Sequence, residues 1–273
     1  MSAMTRPITF LSDFGRADEF VGVVHGVLAT LAPESRVIDL THDIRPGDIR
    51  GGALALTRAI QYLPHGVVLA VVDPGVGTER RALAAETAVG FFVGPDNGLL
   101  SPAVAIVGGA TRIVSLESEE ARIPSSGATF AGRDIFGPAA ALLAAGEASL
   151  GDLGPDVDPG TVSPLLLPLP DVANGNVSGE AWWIDRFGNV QTNISPDDLA
   201  GAGVRPGTTV TVKIGPRLLQ LPWVVAYGDV SEGEALVHVD SSGLIAIAVR
   251  NGTAAEELGL TEGTTVSIVG VTS

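Results

Sequence analysis

Apolar and polar positions along this chain follow two regimes. In the first, apolar runs alternate with stretches of helical spacing: PITFLSDFG reads as a buried strand ending at Asp13, and DEFVGVVHGVLATL as a helix N-capped by Asp18. The pattern then repeats. RVIDLTH reads as a second strand, DIRGGALALTRAIQYL as a second helix with Asp48 near its start, and GVVLAVVDP as a third strand ending at Asp73. ALAAETA and GFFVGPD form a candidate strand pair, TRIVSLE a further strand, and GRDIFGPAAALLAAG a helix. Such alternation predicts parallel strands joined by crossover helices. The second regime begins after the proline-rich DVDPGTVSPLLLPLPD, which reads as an extended linker. Beyond it come short β-like runs, EAWWID, TTVTVKIG, EALVHVD, LIAIAVR and TTVSIVGV. The expectation is an α/β N-terminal domain with a mostly parallel sheet, residues 1–165, and a smaller all-β barrel C-terminal domain, residues 172–273.

Composition narrows the function classes. With 45% hydrophobic and 17% charged residues the 273-residue chain is globular, and no run of apolar residues is long enough to span a membrane. Zero cysteines exclude disulfides, zinc thiolates and thiol nucleophiles. No secretory leader pattern opens the chain, so a cytoplasmic location is expected. A net charge of −15, from 16 basic and 31 acidic residues, disfavours nucleic acid and favours a cationic ligand such as a sulfonium or an amine. No cluster of His, Cys and carboxylates has metal-ligand spacing, so no metal is expected.

Candidate chemistry gathers where predicted strands end. In open α/β sheets ligands bind beyond the carboxyl ends of strands, which is where Asp13 and Asp73 fall. Each is equally well read as a turn former, since aspartate before glycine or proline is a common turn signal. GPDNGLLS places Asp96, Asn97 and Gly98 after another strand, and in ATFAGRDIFGPAAA Arg133 and Asp134 open a helix. IDRFGNVQTNI is an amide-rich loop that is also an ordinary hairpin turn by composition.

Taken in order, FLSDFG, DPGVGTERR, GPDNGLLS, TFAGRDIFGPAAA and RFGNVQTNI resemble the S-adenosylmethionine (SAM) hydrolases, also called SAM hydroxide adenosyltransferases, relatives of the SAM-dependent fluorinase and chlorinase. The resemblance covers about Ile8 to Val269. It implies hydrolysis of SAM to adenosine and methionine by attack of water on the 5′ carbon, with SAM as substrate and no cofactor. It also implies a homotrimer with SAM sites at subunit interfaces. By the same resemblance Asp13 holds the ribose hydroxyls, Asp73 and Arg80 activate water, and Asn97 and Phe130 border the substrate. Asp185, Phe187, Asn189 and Ser241 receive the methionine part, and Asn251 lies near adenine.

One position departs from the family pattern. Where the hydrolases have a histidine in TFHGRD, as third member of the water-activating group, this chain has Ala131. The four histidines, His25, His42, His65 and His238, sit elsewhere in the pattern and read as surface or packed residues. The related halogenases carry tyrosine at the place of Asp73, tryptophan at Gly47 and arginine at Ser242. A halogenase is therefore the weaker alternative, because a carboxylate at Asp73 repels a halide. A SAM-binding protein without turnover is the stronger one.

Overall fold

The computed structural model describes residues 5–269. The chain divides into two compact units, the first ending at Leu165 and the second starting at Leu166.

The first unit is built on a six-stranded sheet. Its strands are β1 (Ile8–Ser12), β2 (Val37–Thr41), β3 (Gly66–Val71), β4 (Ala82–Thr87), β5 (Gly90–Pro95) and β6 (Ala110–Ser115), in the spatial order β2-β1-β3-β5-β4-β6. β2, β1, β3 and β5 are mutually parallel, whereas β4 runs antiparallel to both its neighbours, so the sheet is mixed. The sequence explains this: β4 and β5 are separated by too few residues for a crossover helix, and a short connection forces a hairpin.

β1 and β3 are buried along their whole length, as strands covered on both faces must be. Their alternation sorts side chains between two cores. Ile8, Phe10, Val67, Leu69 and Val71 pack with Val24 and Leu28 of α1 (Phe20–Leu31), while Leu11, Val68, Ala70 and Val72 pack with Ala53 and Leu56 of α2 (Ile49–Ala59). The second layer also takes Ala103 of α3 (Ser101–Ile106), a short helix not foreseen in the sequence, and the first takes α4 (Gly137–Ala145). α2 starts as expected, with the Asp48 side chain accepting from the Gly51 N–H at 2.8 Å. α1 does not. Its N-cap is Glu19, without a side-chain cap, and Asp18 lies outside the helix. Phe20 instead anchors the start of α1 by packing on Phe14 and Phe130, with ring centroids 6.2 and 5.2 Å away.

The proline-rich segment is not a free linker over its first half. Val157 N–H donates to Ile113 O, Ser163 N–H to the Asp96 carboxylate and Leu165 N–H to Ser101 Oγ. The polar side chains of the β5–α3 turn thereby fix it to the first unit.

The second unit is an antiparallel, nearly closed barrel. Its strands are β7 (Asp171–Ala173), β8 (Asn176–Ile184), β9 (Val190–Thr192), β10 (Thr209–Ile214), β11 (Arg217–Pro222), β12 (Ala235–Val239), β13 (Ile245–Val249) and β14 (Thr265–Val269). The order is β11-β10-β14-β8-β9-β13-β12, with β7 beside β8, and a bridge from Trp223 to Val237 links the two ends. Closure removes exposed edges. Alternate residues such as Val210, Val212 and Ile214 fill the interior, and α5 (Pro196–Gly201) and α6 (Ala254–Leu258) contribute Leu199, Ala254 and Leu258 to it.

Candidate active site

The first unit's candidate residues converge at the carboxyl ends of its parallel strands. Asp13 directly follows β1, and Asp73 follows β3 two residues after its end. After Asp73 the chain turns through Pro74 and Gly75, with Val76 N–H bonded back to Asp73 O at 3.2 Å and Gly77 at φ +78°. This turn returns Arg80 to Asp73. Arg80 Nε donates to Asp73 Oδ1 at 2.7 Å, Nη2 donates to Oδ2, and Nη1 donates to Arg81 O at 3.0 Å. The return path explains Gly75, because a Cβ there would stand 3.2 Å from Arg80 Cγ. The guanidinium also lies over the Phe136 ring, 5.1 Å from its centroid.

The pair is nearly dry, with the Asp73 side chain only 5% and Arg80 14% exposed. A two-pronged arginine–carboxylate contact fixes both groups in one plane. It leaves one acceptor position on each Asp73 oxygen and two N–H groups of Arg80 unassigned, enough to hold and orient a water molecule.

Asp13 shares this environment. Gly47 N–H donates to its Oδ2 at 2.8 Å, and Gly47 itself sits at φ +75°, a conformation that disfavours side chains. Burial pushes the Asp13 carboxyl above the ordinary aspartate range; the backbone N–H groups of Gly47 and Asp13 oppose this, and the Asp73 charge adds to it. Beside Asp13 stand Phe14 and Phe130, edge to face at 5.7 Å. Gly132 permits their approach, since a Cβ there would fall 2.9 Å from the Phe14 ring.

Ala131, 6% exposed, precedes a turn of π-helix, Gly132–Phe136, that leads into α4. Ala131 and Arg80 line the same cleft, a space of about 770 Å³ also bordered by Glu117, Arg122 and Asp134; no histidine lines it, and neither do Asp13 and Asp73. Asn97 is largely committed elsewhere. Its Nδ2 donates to Val72 O at 2.8 Å and its Oδ1 accepts from Leu99 N–H at 3.1 Å, which ties the loop after β5 to the end of β3. The neighbouring Asp96 accepts from Arg81 Nε at 2.8 Å and from Ser163 N–H at 2.7 Å, a structural pairing that the sequence does not announce.

In the second unit the candidate residues lie on barrel loops. Asp185 locks the β8–β9 hairpin turn: Oδ1 accepts from the N–H groups of Phe187 and Asn189 at 2.8 and 2.9 Å, and Oδ2 accepts from Asn189 Nδ2 at 2.9 Å. Phe187 is left 68% exposed. Asn251 adopts φ +57° and donates to Glu232, while Gly188 O accepts from Ala255 N–H at 3.0 Å, so the loop after β13 backs the hairpin turn. Ser241 is exposed in the β12–β13 turn, which Asp240 organises by accepting from Ser242 and Leu244 N–H. Tyr227, not singled out in the sequence, connects these loops. Its hydroxyl is 3.4 Å from Asn189 Nδ2, and burial, then the charges of Asp185 and Asp240, raise its pKa.

Comparison with known proteins identifies the family of both units. Residues 8–154 match the profile of the SAM hydroxide adenosyltransferase N-terminal domain, and residues 179–267 that of its C-terminal domain. An (R)-S-adenosyl-L-methionine hydrolase of Salinispora tropica is 47% identical, covering 96% of this chain and 97% of its own. One of Thermus thermophilus is 42% identical, covering 97% and 100%. A fluorinase of Actinoplanes is more distant, at 27% identity over 96% of each chain. Among solved structures, an uncharacterized conserved protein from Thermotoga maritima superposes with a TM-score of 0.90 at 37% identity, covering 96% of this chain and 99% of that one.

Proposed function

The chain belongs to the SAM hydroxide adenosyltransferase family, and we propose that it hydrolyses SAM to adenosine and L-methionine. The observation that carries this reading is the buried Asp73–Arg80 pair at the carboxyl end of β3, with Asp13 beside it. Asp13 accepts the ribose hydroxyls. Water held between Asp73 and Arg80 attacks the 5′ carbon in line with the sulfonium; the new C–O bond forms as the C–S bond breaks, and the electron pair leaves on sulfur as neutral methionine. The water's proton passes to Asp73 and then to solvent. A thioether needs no acid to leave, so the demand falls on the nucleophile. A fixed positive group and a fixed acceptor in a dry site both lower its cost. Opposite charges cancel as oxygen approaches the sulfonium, an attraction strengthened where water is excluded. The reaction so written draws on protein groups alone, with no cofactor.

Ala131 favours a second reading, a protein that binds SAM without turnover. Incubation of SAM with the protein in ¹⁸O-water separates the two. Adenosine carrying ¹⁸O at the 5′ oxygen, with methionine released, supports the hydrolase. SAM retained intact while bound supports the silent binder, and a 5′-halogenated nucleoside in halide buffer supports neither.

Phe187, exposed on an otherwise self-satisfied loop, fits the proposal that the protein is a cytoplasmic homotrimer in which residues of two subunits complete each site. Mixing inactive Asp73→Asn subunits with low-affinity Phe187→Ala subunits, assayed at a SAM concentration too low for Phe187→Ala alone, tests it. Activity restored in the mixture requires shared sites.

A further inference from the structure

Linear spacing hides a second cluster in the first unit. His25 of α1, Asp39 of β2 and His42, one residue past β2, bring a ring nitrogen from each histidine and a carboxylate oxygen within 4.8 Å of one another. His25 Nε2 is 2.8 Å and His42 Nε2 3.1 Å from the same oxygen, Asp39 Oδ1. His42 is 1% exposed and its ring is fixed, edge-on to Phe10 at 4.6 Å and with Nδ1 2.8 Å from Ser12 Oγ. Its Nε2 lies 3.1 Å from Asp39 Oδ1, out of line for a well-formed hydrogen bond, so it meets that carboxylate as an ion-pair neighbour and points into the cluster.

This is the chemistry of a cation site. A buried imidazole nitrogen whose one acceptor is a misaligned carboxylate oxygen shared with a second imidazole is only partly satisfied, a cost that a cation among the three would remove. Metal-binding histidines are oriented by a hydrogen bond at their other nitrogen, the part Ser12 plays for His42. The other two side chains, 35% and 37% exposed, leave an open side for water to complete the coordination. Two imidazoles and one carboxylate suit zinc and its late first-row neighbours better than calcium or magnesium.

We propose that His25 Nε2, Asp39 Oδ1 and His42 Nε2 bind a zinc-class divalent cation. The ion ties α1 to the edge strand β2. It also steadies the segment that frames Asp13, because His42 O accepts from Gly15 N–H and Gly47 N–H, five residues on, donates to Asp13. The site takes no part in the hydrolysis and stands independently of the proposed reaction.

Cobalt(II) titrated into the full-length, chelator-stripped protein tests this through its visible d–d absorption. Saturation at a one-to-one ratio, displaced by zinc, is expected for the wild type and for His65→Ala, whose histidine is exposed elsewhere. His25→Ala and Asp39→Asn should each lose more than about 100-fold in affinity, and Ser12→Ala about 10- to 100-fold. Zinc should raise the melting temperature of the wild type and leave that of His25→Ala unmoved, a readout that also shows whether each variant is folded. No uptake by the wild type, or uptake that His25→Ala matches, overturns the proposal.

Discussion

The two units offer their candidate residues in opposite ways. In the first, Asp73 and Arg80 are nearly dry and Asp13 is half-buried beside them at strand ends and the turn between, and their charges act on one another. In the second, Asp185 and Asn189 turn their polar groups inward to hold a hairpin, and the group left for a ligand is the exposed ring of Phe187. Desolvated, preorganised charge suits bond-making, whereas a rigid loop presenting an aromatic face suits recognition. Changes at Asp73, Arg80 and Ala131 should therefore alter turnover, a change at Asp13 should alter both ribose binding and strain, and changes in the second unit should alter affinity alone.

The largest test of that division lies at Ala131. Ala131 lines the cleft that Arg80 also lines, and that cleft has the volume for an imidazole. Ala131→His should raise turnover by about 10² to 10⁴ with little change in SAM affinity, because a group with pKa near 6.5 assists proton transfer only in the transition state. Single-turnover rates in Ala131→His combined with Asp73→Asn should lose most of that gain, as groups acting as a unit do. An unchanged rate in Ala131→His with SAM bound would remove Ala131 from the catalytic account.

Asp13 comes next in size. Asp13→Ala should weaken binding of every adenosine-containing ligand by about 1–3 kcal/mol for each ribose hydroxyl left unpaired, roughly 5- to 150-fold each. Calorimetry with a ligand lacking both hydroxyls gives the control, since its affinity should differ little between wild type and variant. Equal losses for both ligands would reduce Asp13 to a turn former.

How far these features were legible in the sequence follows from where each interaction closes. β1 and β3 were plain because strands buried on both faces are continuous apolar runs, and Asp73 with Arg80 was readable through the family resemblance of DPGVGTERR, whose glycine-rich turn brings the two together within eight positions. β9 was hidden by its composition. Gln191 and Thr192 look like loop residues, but Gln191 Nε2 donates to Asp240 and Thr192 Oγ1 to Ile245 O, and these bonds from other elements let both side chains be buried. β11 was hidden by exposure, since its Leu218 is 64% exposed and gives no clear alternation. That the extended linker is held to the first unit over its first half was not legible because Asp96 and Ser101, distant in sequence, supply its partners. The histidine cluster and Tyr227 were invisible for the same reason: their partners come from separate elements.

Phe187 tests the recognition side with a smaller effect. Phe187→Ala should leave stability within about 0.5 kcal/mol, as expected of an exposed side chain. Affinity for SAM should fall by about 0.5–2 kcal/mol if the ring faces the ligand's cationic part, with adenosine affinity unchanged. A parallel loss for adenosine would place Phe187 at the wrong end of the ligand.

The smallest effect is the most discriminating, because it sets function against stability at a single residue. Burial, with the Asp73 charge adding to it, raises the folded-state pKa of Asp13 above the ordinary aspartate value, so the folded protein holds this proton more tightly than the unfolded chain does. The sign follows directly: whatever stability protonated Asp13 contributes is present below the unfolded pKa and is lost as pH rises through the raised folded pKa. At neutral pH the ionised carboxylate is therefore a local strain. Asp13→Asn should melt slightly higher than the wild type at pH 7, with the advantage shrinking as the buffer is acidified through the Asp13 pKa. Ligand binding should run the other way, since only the ionised carboxylate accepts from both ribose hydroxyls. Wild-type affinity for adenosine should weaken on acidification earlier than an unperturbed aspartate would allow, and Asp13→Asn should show a weak, flat profile. A variant that melts lower at every pH while keeping the wild-type binding profile would mean that the buried charge serves the fold rather than the ligand, and the contrast between the two units would lose its clearest support.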